Sequence, residues 1–180
     1  MSIEEINLEN LGGTRKNIKS GDVFVFKPKK HPYYYGVVIN SDASIFTAKG
    51  LLHIQFFNLN SENGNSVPDD LHCAKLLIPP ILTNKLGWRK GYFKTIGNVD
   101  IKDFISVQNA AFFYYNGKIF DDSSNQLPSP KSIEETGSFA ITSYLNIDNL
   151  ISLALEIPLA VTPPDNWNPY WYKEELSNLI

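Results

Sequence analysis

Two adjacent prolines inside an apolar run constrain this chain more than any other feature. The run Leu76-Leu77-Ile78-Pro79-Pro80-Ile81-Leu82 is apolar throughout, but Pro79 and Pro80 carry no backbone N–H and fix φ. A strand lacking two donors cannot sit inside a sheet, so the run is expected at a sheet edge or as a buried extended segment. Gly87-Trp88-Arg89-Lys90-Gly91-Tyr92-Phe93 follows as a turn, and Tyr92–Ile96 as a strand closed by Gly97-Asn98.

The remaining punctuation is that of a β protein. Val23–Phe26 and Tyr33–Ile39 are β-prone runs separated by Lys27-Pro28-Lys29-Lys30-His31-Pro32, which predicts an antiparallel hairpin. The second run is expected to end at Asn40-Ser41-Asp42, with Gly36 marking a bulge or bend. Leu51–Asn58 reads as a strand and Asn60–Pro68 as a polar loop. Asn116-Gly117 between Ala111–Tyr115 and Lys118–Phe120 is the clearest hairpin signal, because a type I′ turn needs positive φ at both central residues. Beyond the Ser/Pro-rich loop Ser123–Ser132, Ser138–Tyr144 reads as a last strand and Asp148–Leu155 as a helix. A terminal helix follows, with Asn168 as N-cap and Pro169 in its first turn. The expected fold is α+β and mostly antiparallel β, a curved or barrel-like sheet with short helices near the C-terminus. It is expected to span residues 1–180 as one β-rich domain, with an N-terminal arm over 1–20 (a short acidic helix or arm, then a polar linker with Gly12-Gly13 and Arg15-Lys16) and a helical appendage over 163–180.

Charge and cysteine content narrow the function. A net charge of −3 and a pI near 5.6 argue against general affinity for nucleic acid or anionic lipid and suit a basic partner. The lone Cys73 excludes an intrachain disulfide and fits a reducing compartment. The start lacks the basic and apolar regions of a signal peptide, and no window is long and apolar enough to span a membrane, so the expected location is cytoplasmic.

The residue types that carry chemistry do not assemble in the sequence. His31, His53 and His72 lie far apart, and His72-Cys73 would diverge on a strand, so neither metal nor cofactor is expected. Cys73 reads as a buried, inert thiol. The pairs Asp69-Asp70, Asp121-Asp122 and Glu134-Glu135 sit beside turn residues and read as solvated charges or caps rather than acid–base pairs. No nucleophile elbow or phosphate loop is present, and no catalytic residue is expected.

Two aromatic knots stand apart from this blank. Trp88 and Tyr92-Phe93 flank Arg89-Lys90, and Trp167, Tyr170, Trp171 and Tyr172 precede Glu174-Glu175. Each ring taken singly reads as cover for the core. Their clustering exceeds what a core needs, and Trp and Arg are favoured anchors of protein interfaces. A partner-binding site is therefore expected to draw on Trp88, Arg89, Tyr92, Trp167, Trp171 and Glu174.

Gly21-Asp22-Val23-Phe24, Tyr35-Gly36-Val37-Val38, Leu77-Ile78-Pro79-Pro80 and Gly87-Trp88-Arg89-Lys90-Gly91-Tyr92-Phe93 together resemble the immunity protein 26 family, over residues 15–145. The resemblance implies a β-rich, non-enzymatic cytoplasmic antidote that binds a cognate bacterial polymorphic toxin domain and blocks it stoichiometrically. It carries no catalytic residue or cofactor, and it sets no oligomeric state. A nuclease toxin, with a basic active-site face, would suit a mildly acidic antidote. Two other readings compete. The Gly21–Val25 hairpin also resembles that of MazF-like toxin endoribonucleases, small barrels that need a basic groove. The Trp knot would also serve a sugar- or peptide-binding β-module with a deep apolar pocket.

Overall fold

The computed structural model describes residues 5–14, 16–104, 111–130 and 132–180. Expectations that fall on Met1–Glu4, Arg15 and Lys131 (in the expected Ser123–Ser132 loop) lie outside the described residues. Two open sheets carry the fold. In the first, β1 (Asp22–Phe26), β2 (Tyr33–Ile45), β3 (Ala48–Ser61), β4 (Leu76–Thr83) and β5 (Lys94–Asn98) lie in the order β4-β3-β2-β1-β5, every pair antiparallel. Between β4 and β5 stands the short helix α1 (Leu86–Lys90). The second sheet has the order β8-β7-β6-β9, from β6 (Ala111–Tyr114), β7 (Lys118–Phe120), β8 (Gln126–Leu127) and β9 (Thr136–Ser138), with β9 parallel to β6. Helices α2 (Tyr144–Ala154) and α3 (Trp171–Ser177) follow. The fold is thus mostly antiparallel β with a few short helices, and its sheets stay open rather than closing into a barrel. No described helix is long and apolar enough to cross a membrane.

The double proline sits where its missing donors are harmless. β4 is the edge of the first sheet, and its register against β3 slips between Ile54/Ile81 and Phe56/Ile78, so Pro79-Pro80 bulge out of the ladder. The Asn-Gly hairpin also forms, with φ of 83° at Asn116 and 72° at Gly117.

Several boundaries differ from expectation for local reasons. β2 runs through Asn40-Ser41-Asp42 to Ile45: the Asn40 side chain accepts the Asp42 N–H (2.9 Å), and the ladder absorbs this local bond as a slip in register instead of reversing. The turn comes at Phe46, whose left-handed φ of 49° is offset by ring contacts with Tyr114, Phe120 and Phe139 at 5.3 to 5.4 Å. Gly36 makes no bulge. It pairs in register with Phe24, whose ring fills the space a side chain would occupy. Trp88 lies on helix α1 rather than in a turn, closed by Gly91 in the left-handed conformation, and β5 begins only at Lys94. The Ser138–Tyr144 run is split: β9 ends at Ser138, and Ser143 caps α2 by accepting the Asn146 N–H (3.2 Å). Asn168 accepts the Tyr170 N–H (3.0 Å) in a turn ahead of α3, so the helix starts later than its expected cap.

One face of the first sheet packs Phe24, Phe26, Ile54 and Phe56 against Trp88, Phe93, Ile147 and Ile151. The described part of the N-terminal arm is extended rather than helical and buries Ile6 and Leu8 in the same core. Buried Asp148 on α2 straps it down, accepting the N–H groups of Asn7 (3.1 Å) and Leu8 (2.9 Å). Burial raises the Asp148 carboxyl above its usual range, with those two N–H groups and Lys29 pulling the other way. The sheets meet where Ala43, Leu51 and Leu82 pack on Phe112, Phe120 and Phe139.

Candidate functional site

The first aromatic knot is spent on the core. Trp88 is 1% exposed, its ring 4.9 Å from Phe24 and 5.1 Å from Phe93, and its indole N–H donates to Thr95 Oγ1 (3.1 Å). Tyr92 is buried and stacks on Tyr144 at 5.5 Å. Arg89 alone of the three reaches solvent. The N-terminal arm closes over this helix end, where the Leu11 N–H donates to Gly91 O (2.7 Å) and the Thr14 N–H to Trp88 O (3.0 Å).

The second knot is open. Trp171 is 40% exposed and Trp167 half-buried, and both line a cavity of about 280 Å³ with Pro79, Pro80, Ile141 and Tyr170. A wider groove of about 830 Å³ adjoins it, sharing Pro79, Pro80 and Tyr170. Its walls include Leu76–Ile78 of β4, Gln55, Glu134-Glu135 and Lys173. Glu174 is exposed on α3 but lines neither cavity. Of the six expected residues, the structure brings Trp167 and Trp171 together, leaves Arg89 and Glu174 on the surface outside these cavities, and buries Trp88 and Tyr92.

Backbone packing holds the cavity's shape. Residues 137–142 run along the outer side of β4: Leu82 bridges Ile141 in parallel, and the Thr142 N–H donates to Leu82 O (2.8 Å). Gly137 lies so close to the Pro80 carbonyl that a methyl group there would overlap it. Across the opening, the Lys173 ammonium sits 4.6 Å from the Tyr170 ring. Burial lowers the Lys173 pKa, Glu134 partly opposing, and burial raises those of Tyr170 and Tyr172.

The charge around the cavities is one-sided. Residues 132–180 carry seven carboxylates and a single cation, Lys173. All but Asp148 of those carboxylates are exposed, and none makes an ion pair within 4 Å to a described residue.

A half-buried pair was invisible in the sequence. His53 on β3, 1% exposed, places Nδ1 2.9 Å from Asp122 Oδ2, although Asp122 reads as one of two solvated turn charges. Only Asp121 behaves that way, accepting the Ser123 and Asn125 N–H groups (2.9 and 2.8 Å). Burial acts to raise the Asp122 pKa, but His53, Asn40 and Ser123 hold it below the usual carboxylate value. His53 Nε2 is buried with no hydrogen-bond partner among the described residues, and Phe112 meets the ring edge-on at 5.0 Å. The pair ties the two sheets together and lines neither cavity. Cys73 also departs from expectation: it is exposed, on a single 3₁₀ turn (Leu71–Cys73) that leaves it off the core. Among the described residues no three His, Cys, Asp or Glu side chains group as metal ligands.

The sequence pattern of one family, Immunity protein 26, matches residues 19–125, more than half the chain. The chain belongs to the immunity protein 26 family. Neither a curated protein nor a solved structure matches it. The matched region runs from the approach to β1 to the turn after β7, taking in Pro79-Pro80, Trp88 and the His53–Asp122 pair. It stops short of Glu134-Glu135, α2 and the Trp167–Trp171 knot. One wall of the cavities therefore lies inside the family match and the aromatic, acidic wall lies outside it.

Proposed function

We propose that this immunity protein binds a cognate toxin domain of a bacterial polymorphic toxin system one-to-one in the cytoplasm and neutralises it by covering it, without chemistry of its own. Membership of the immunity protein 26 family carries the reading. The exposed aromatic cavity supports it, because Trp167, Trp171 and Ile141 present apolar area at the surface that a partner can bury. Trp167, Trp171 and Glu174 are the anchors on this account, with Arg89 a separate surface charge. The excess of carboxylates in the C-terminal segment speeds encounter with a basic partner face, such as that of a nuclease. The test is rescue: the toxin domain expressed in bacteria stops growth, and co-expression of this protein restores it with a 1:1 complex recoverable from the cells. Persistent arrest with the protein folded and abundant refutes the pairing.

The cavity at Trp171 also favours the ligand-binding reading, since its volume approaches the lower end of small-ligand sites, about 300 Å³. Calorimetry with sugar panels separates the two: saturable heat with a sugar and none with the toxin domain selects the module. The ribonuclease reading gains nothing here, because the sheets remain open where that family's fold is a small barrel.

A further inference from the structure

We propose that the groove beside the Pro79-Pro80 strand receives an extended, cationic segment of the protein partner. The toxin reading supplies only the source of that segment. Three independent features meet in the groove. The first is an open strand edge. β4 pairs only with β3, and residues 137–142 occupy its outer side near Pro80 and Leu82, so the Leu76–Ile78 half has no strand beside it among the described residues. An extended chain fits that splay, and the prolines confine any added pairing to the half that retains its N–H groups.

The second is Gln55. It is 2% exposed, lines the groove, and its amide makes no side-chain hydrogen bond to a described residue. An amide at the groove wall offers one donor and one acceptor side by side, which is the complement of a single peptide group. The third is charge. Glu134 and Glu135 stand on the groove wall with no ion pair within 4 Å to a described residue, and the one cation of the C-terminal segment, Lys173, lies over the Tyr170 ring with Glu134 acting on it. An arriving Arg or Lys meets carboxylates in excess of local cations, and an apolar neighbour in the same segment reaches the adjoining Trp167–Trp171 cavity past Pro79, Pro80 and Tyr170.

The test uses the full chain, ¹⁵N-labelled, and two synthetic ten-residue peptides, one alternating leucine with arginine and the other leucine with glutamate. The arginine peptide is expected to shift the Leu76–Ile78 backbone amides and the Gln55 side-chain amide, and to weaken at least tenfold on raising salt or in the surface variant Glu134→Lys/Glu135→Lys. Equal binding of both peptides, or shifts confined to another face, overturns the proposal. Gln55→Leu is expected to weaken the same binding, and the surface variant keeps the test decisive where that core substitution unfolds the protein. A second arm uses the toxin domain. A complex lost in Trp171→Ala but untouched by Glu134→Lys/Glu135→Lys sinks this proposal and leaves the toxin reading standing. Absence of any toxin complex, with the arginine peptide still seated in the groove, sinks the toxin reading and leaves this proposal standing.

Discussion

Replacing Trp171 with alanine separates interface from core. Trp171 keeps 40% of its surface open beside the cavity. For a ring offering roughly 250 Å² this is ~100 Å² for a partner to cover. At ~25 cal/mol per Å² the covered area stabilises a complex by about 2.5 kcal/mol, which is roughly 60-fold in Kd. Trp171→Ala is therefore expected to weaken toxin binding by about one to two orders of magnitude in a calorimetric or fluorescence titration. The ring also touches Phe113 (6.2 Å) and Tyr172 (5.9 Å), so α3 loosens, and far-UV circular dichroism with a urea midpoint must show the remainder folded. Trp88 supplies the contrast. At 1% exposure and wedged against Phe24 and Phe93, its truncation costs roughly 3–5 kcal/mol of stability, a large part of a typical total, and lowers the amount of folded protein rather than the affinity of what remains. Affinity within threefold of the parent for a folded Trp171→Ala protein would refute the assignment of this face.

Three further outcomes follow from buried groups and close packing. Asp122 has a depressed folded pKa, so its contribution is present above the unfolded value near 3.8 and lost as pH falls through the lower folded value. Asp122→Asn should flatten that acid limb in urea unfolding at pH 5 against pH 3, and an unchanged limb counts against the His53 tie. Asp148 has the opposite sign: its raised folded pKa makes its contribution largest in acid and diminished as pH rises past the folded value. Asp148→Ala leaves the N–H groups of Asn7 and Leu8 without their acceptor and should destabilise by about 2–4 kcal/mol, whereas Asp148→Asn keeps an acceptor and should cost less; equal costs would show that the strap is not held by this contact. Gly137→Ala pushes β9 away from the Pro80 carbonyl and should cost about 1–3 kcal/mol in the same unfolding assay.

What was legible in the sequence was whatever a single residue's covalent structure decides. Pro79-Pro80 have no N–H wherever they are placed, so an edge position follows. Asn116-Gly117 tolerate positive φ, so the hairpin follows. What escaped depended on partners distant in sequence. Asn40-Ser41-Asp42 has turn composition, yet β2 passes through it with a slip in register, and the reversal falls on Phe46, which packs on Tyr114 and Phe120 of the other sheet and on Phe139. Ile141, Thr142 and Tyr144 are β-prone, but the Ser143 cap converts the last of them into a helix start. The two aromatic knots look alike in composition, and only packing buries Trp88 under the first sheet while leaving Trp171 at a rim. His53 and Asp122 are 69 positions apart, and neither carries a local sign of the other.

The central claim is stoichiometric blocking by contact, and an inhibition titration tests it most directly. The purified toxin domain, assayed for its own activity at a concentration well above Kd, is titrated with this protein while native mass spectrometry counts the complex. The account predicts activity falling linearly to zero at one equivalent, with a 1:1 species accumulating in step. Full inhibition at a small fraction of an equivalent, or undiminished activity in the presence of excess folded protein, would contradict it.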